Sequence, residues 1–209
     1  MSVVALVLIA ASVAAVFLLT RSRNRVVALR YRVDNARHQM GVQLARRHDL
    51  VPALIDAVKG AMRYEKDTLE ALVRAAAEAR EALLRTTSRR SQARRDGHPD
   101  LFGDVDDGAD SLEAETRLSS TLSQTLSMVD QHPELRAVDA VRSLQEELAS
   151  TENRIAFARQ HYNDVATQFN AAREQFPASM FVGATPPAPL WEMPAGNAEM
   201  PKIDLSLAA

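Results

Sequence analysis

Not one cysteine occurs in this chain, which excludes a disulfide framework, a thiol nucleophile and a thiolate metal site. Five scattered histidines leave little else to ligate a transition metal. Glycine is scarce, 7 of 209 residues, and aromatics reach only 5%. A formal net charge of -2 names no partner. Alanine, by contrast, is abundant, and it loses no side-chain entropy in a helix, whereas glycine loses the most backbone entropy. The expectation is an all-α protein of one ordinary domain plus appendages.

Val3 to Leu19, "VVALVLIAASVAAVFLL", carries no charge. At 1.5 Å per residue this is the lower limit for crossing a hydrocarbon core of about 30 Å. A secretory signal places its positive charges before the apolar run; here only "MS" precedes, while Arg21, Arg23, Arg25, Arg30 and Arg32 follow. Residues 1–20 therefore read as a single-pass transmembrane signal-anchor in preference to a cleaved signal or a buried core helix. The positive-inside rule puts the N-terminus outside and the bulk of the chain in the cytoplasm.

Beyond the anchor, residues 21–177 read as an elongated antiparallel bundle of four long helices with coiled-coil-like packing. Val26, Leu29, Val33, Ala36, Met40 and Leu44 make one helical face. Pro52 predicts a kink or restart, capped by Asp49, followed by a helix of about 35 residues through Leu83. From 86 to 111 the periodicity fails: five arginines lie between Arg85 and Arg95, and aspartates follow with Gly97, Pro99, Gly103 and Gly108 among them. This segment reads as a flexible charged loop, a solvated linker rather than a lipid, nucleic-acid or cation site, and its spacing is not that of a calcium loop. A third helix opens at Ser111 and stops at Pro133. The fourth has the clearest seam: Val141, Leu144, Leu148, Thr151, Ile155, Ala158, Tyr162, Val165, Phe169, Ala172 and Phe176. Residues 178–209, rich in proline and alanine, read as a mobile tail, with Trp191 available to dock back on the bundle or on the membrane surface.

Residues 144–165, "LQEELASTENRIAFARQHYNDV", hold the side-chain inventory of an active site. On the heptad frame, however, Glu146, Glu147, Glu152, Asn153, Arg154, Arg159, His161, Asn163 and Asp164 fall on the flanks and outer face, and no inward position is ionisable. No Glu-x-x-His, His-Glu-x-x-His, Gly-x-Ser-x-Gly or Walker glycine loop occurs. No catalytic, cofactor-binding or metal residue is therefore assigned, and an enzyme is not expected. His48 beside Asp49 reads as a local turn-stabilising pair. Phe157, two positions past Ile155, and Val42 lie off their seams; they mark either a wider buried face or a second contact surface. Asn153, Phe157 and His161 are the candidate partner surface, and Arg21, Arg23 and Arg25 are candidate lipid-headgroup contacts.

Five separated stretches, "LRYRVDNARHQMGVQLARRHDLVPALIDAVKG", "YEKDTLEAL", "LQEELASTENRIAFARQHYNDV", "FNAAREQFP" and "MPKIDL", resemble the bacterial LemA family, in the same order and with the same single N-terminal anchor, though the charged loop 86–111 is unlike the family's usual connection. Where the family usually shows Trp after "DNA", this chain has Arg37, and Met40-Gly41 replaces a more usual Ile-Asp. The resemblance implies a membrane-anchored helical bundle facing the cytoplasm of a bacterial inner or organelle membrane, with no catalytic residues to carry over. It also implies roles in membrane-organelle formation or beside membrane metalloproteases. The expected partners are the membrane, a homo-oligomer and a membrane protein such as a metalloprotease, with no nucleic acid and no small-molecule substrate.

Overall fold

The computed structural model describes residues 2–59, 66–95, 105–180 and 186–191. It is all-α, without a strand among them. The elements are α1 (Ser2–Val58), α2 (Lys66–Arg95), α3 (Val105–Asp130), the short α4 (Pro133–Arg136) and α5 (Asp139–Glu174), then a 3-10 turn, Ala178–Met180.

α1 corrects the expected restart at Pro52: the helix carries the apolar N-terminus, the first seam and Pro52 without interruption. Proline deletes one backbone hydrogen bond, and the buried neighbours Val51 and Leu54 hold the helix on either side of it. The end comes at Val58, with a turn at Lys59, so the long helix expected through Leu83 is split, and α2 starts at Lys66. Gly60, a strong helix-stop residue in the sequence, was the available signal.

The break expected over 86–111 is also narrower. α2 continues to Arg95 and α3 begins at Val105, which makes 86–95 and 105–111 helical; residues 96–104 lie outside those described. Arginine, alanine and glutamine are good helix formers, and Thr86 and Thr87 bond back to the carbonyls of Ala82 and Leu83, which satisfies their hydroxyls within the helix.

Two compact units emerge, one of Met1–Met40 with Ala158–Leu190, the other centred on Gly41–Phe157. The seams of α1 and α5 run through the boundary unmarked. In the first unit the buried faces are Val26, Leu29, Val33, Ala36 and Met40 of α1 and Tyr162, Val165, Ala166, Phe169 and Ala172 of α5. In the second, Val51, Leu54 and Val58 of α1 join Leu72, Ala75 and Ala79 of α2, Leu118, Leu122 and Val129 of α3, Leu135 of α4 and Val141 and Leu148 of α5. In the second unit, pairings that ascend on one helix as they descend on the other, Ser119 with Glu152 and Asp130 with Gln145, set α3 and α5 antiparallel.

Ten of the eleven α5 seam residues are buried or half-buried. Phe176 is the exception, 80% exposed, because α5 ends at Glu174 and the chain turns before the face can continue. Ile155 is only half-buried, so the sharper test of the register is Leu148, which is fully buried. Leu148→Asp should destabilise the protein by several kcal/mol, since a buried unpaired charge is among the costliest of substitutions. Exposed Glu146→Ala should stay within about 0.5 kcal/mol. Equal thermal midpoints for the two variants would contradict the register.

Candidate functional site

The least expected arrangement lies inside the second unit, where α1, α3 and α5 each contribute charge. Arg47 is 1% exposed. Its guanidinium pairs with the Glu115 carboxylate, donates to Glu152 Oε1 at 2.7 Å, and reaches Ser119 Oγ. Ser119 Oγ lies 3.2 Å from Glu152 Oε2, closing the ring. The second oxygen of Glu115 lies 2.9 Å from His48 Nε2, both side chains being buried. Burial by itself would lower the Arg47 pKa, yet Glu152 and Glu115 outweigh it and raise it above the ordinary value. This is an ion cluster: Glu115 of α3 and Glu152 of α5 turn toward one cation on α1, which ties the three helices together.

That cluster corrects two expectations. His48 pairs with Glu115 and not with Asp49, and Glu152, placed on a flank, converges with buried groups after all. Neither Arg47 nor Glu115 was singled out. Both sit on the 3,4 spacing, Arg47 between Leu44 and Val51 and Glu115 between Ser111 and Leu118; continuing the seam through polar residues would have found them.

Among the described residues, no group of three or more His, Asp or Glu is arranged to hold a metal ion. Asn153, Phe157 and His161 are all exposed at four-residue intervals along α5, and Phe157, at 73%, is no part of a buried face. Val42 is likewise exposed. Arg21, Arg23 and Arg25 are exposed directly after the apolar run. Within that run Val3, Leu6, Ile9, Val13 and Phe17 are all more than half exposed, and its apolar window buries nothing against the protein. Ser12 and Thr20 turn their hydroxyls back onto the carbonyls of Leu8 and Val16, each at 2.8 Å, the internal satisfaction that a hydrocarbon surrounding demands.

The expected mobile tail also needs correction. Residues 186–190, "PPAPL", are held within the first unit. Ala188 is buried, its N–H donates to Asn170 Oδ1 at 2.8 Å, and its carbonyl accepts from Asn170 Nδ2 at 2.9 Å. Tyr162 Oη donates to the Pro189 carbonyl at 2.7 Å. Arg37 sets its guanidinium 5.9 Å from the centre of the Tyr162 ring. Desolvation lowers the Arg37 pKa, with Tyr162 and Asp34 opposing. Trp191 is half-buried; the tail on either side, 181–185 and 192–209, lies outside the described residues.

A long exposed apolar helix that continues directly into a helical bundle defines a class, the membrane-associated helical proteins. Residues 36–205 match the model of the LemA family, and the chain belongs to that family. It is also similar to the magnetosome proteins MamQ 1 and MamQ 2 of Paramagnetospirillum magneticum, 30% identical in each case over 77 residues, which is 37% of this chain and 28% of the relative. The match thus spans little more than a quarter of the length of those curated relatives.

Proposed function

We propose that the protein is a non-enzymatic membrane-anchored scaffold or adaptor, single-pass with its N-terminus out, whose helical units lie on the cytoplasmic face of a bacterial inner or organelle membrane. It acts there through protein–protein contacts, as a homo-oligomer and with a membrane protein such as a metalloprotease. The observation that carries this reading is α1 itself, whose exposed apolar stretch passes without a break into buried seams. An uninterrupted helix joins the apolar stretch directly to the buried seam of the first unit, where a flexible tether would leave the two uncoupled. The exposed surface around Asn153, Phe157 and His161 supplies a contact face free of the core. Membrane fractionation tests the reading: the chain should stay with membranes through a high-salt wash and leave only with detergent. Release by salt alone would overturn it.

A second reading, a lipid-binding or membrane-remodelling module, is favoured by the exposed collar Arg21, Arg23 and Arg25 and by the magnetosome relatives. Each arginine is worth about 1 kcal/mol at an anionic surface. Reconstituted into vesicles rich in anionic lipid, the full chain should then change vesicle shape, and the Arg21→Gln, Arg23→Gln, Arg25→Gln variant should not. Identical vesicles with both proteins would remove this reading.

A further inference from the structure

Pro186, Pro187, Ala188 and Pro189 have only one backbone N–H among them, because proline has none. Asn170 takes that single donor, and with the other end of its amide it satisfies the carbonyl of the same residue. The next carbonyl, on Pro189, is taken by Tyr162. Proline fixes φ, and each residue ahead of a proline is pushed toward extended backbone, so the segment meets its partners already in the polyproline shape. Binding it costs little ordering entropy, which is the physical basis of proline-rich peptide recognition by aromatic-lined surfaces. The side chain between the prolines, a single methyl, is buried at 2% exposure.

We propose that this surface of the first unit, built on Tyr162 and Asn170, is a polyproline-binding site, and that the chain's own 186–190 segment is its tethered resident. Its ligand class is an extended peptide of the form Pro-small-Pro. A partner carrying such a segment gains entry by displacing the tail. The site would give the adaptor reading a partner chemistry, yet it stands on its own hydrogen bonds and holds whether or not the chain proves anchored.

The sole tryptophan of the chain, Trp191, is half-buried directly after the docked segment and reports its release. The probe is a synthetic peptide, TPPAPLFE, free of tryptophan, added to the full chain in detergent. The wild type faces a tethered competitor at an effective concentration of order millimolar, so its Trp191 emission should shift to the red only at high peptide. Ala188→Glu should eject the tail and bind a fluorescein-labelled form of the peptide at least about tenfold more tightly than the wild type does. Adding Asn170→Ala to that variant should weaken the peptide about tenfold, the loss expected from its two hydrogen bonds. A control peptide with Glu in place of the central alanine should not bind. If Ala188→Glu fails to fold by circular dichroism, Asn170→Ala alone decides: its emission should start where the peptide-saturated wild type ends. The proposal is overturned if the tail-ejected chain ignores the peptide, if it binds both peptides equally, or if Asn170→Ala leaves Trp191 emission unchanged.

Discussion

Arg47→Ala is expected to destabilise the protein by about 3–5 kcal/mol, because it leaves the buried Glu115 carboxylate without its cation. Glu152 loses less, being a third exposed and able to take water. A thermal melt followed at the helical signal should show the largest drop of any single charge removal in the chain. Arg117→Ala provides the contrast: its pairs with Glu113 and Glu78 lie on the surface, where solvent screens them and their loss should leave the midpoint nearly unchanged. Removing both buried charges together, Arg47→Met with Glu115→Leu, should recover most of the loss, since well-packed apolar replacements of buried ion pairs are often neutral or stabilising. Failure of the double variant to recover would mean that the cluster fixes the register of α1, α3 and α5 as well as satisfying its own charges. If Arg47→Ala melts with the wild type, the buried network does not exist in solution.

The second large effect concerns the apolar run. Leu8→Arg with Val13→Arg places two charges on an exposed stretch of α1 that is not buried among the described residues. Each is expected to cost about 2.5–3.5 kcal/mol near the middle of a membrane span, together roughly 6 kcal/mol. The variant should move from the membrane to the soluble fraction with its helical content and melting midpoint unchanged. A simple core helix would respond in the opposite way, staying soluble throughout and losing stability on substitution.

What the sequence made legible follows from periodicity. An unbroken apolar run and seams repeating at three and four residues are local signals, so the apolar stretch of α1 and nearly all of the α5 seam could be read directly. The seam of α1 was read only where it was apolar; Arg47 interrupts it in composition but not in geometry. Whether a charged residue at a seam position is tolerated depends on what faces it, and Glu115 lies in another helix, 68 residues away. Pro52 follows the same logic: the local rule predicts a kink or a restart, while packing on both sides carries the helix through without a restart. The docked "PPAPL" segment has the composition of a disordered tail. Its order comes from Asn170 and Tyr162, polar atoms whose partners are set only by the fold. The surface at Asn153, Phe157 and His161 was legible as exposed, since its residues fall between seams, but exposure names no partner.

The absence of cysteine makes one measurement direct. In spheroplasts, with single cysteines introduced as Ser2→Cys or as Phe157→Cys, labelling by a membrane-impermeant maleimide reports which side each residue occupies. Phe157 is exposed, so its replacement leaves the core untouched. The account predicts that Ser2→Cys labels in intact spheroplasts and that Phe157→Cys labels only after the membrane is opened. Labelling of Phe157→Cys in intact spheroplasts would contradict an anchored protein working at the cytoplasmic face.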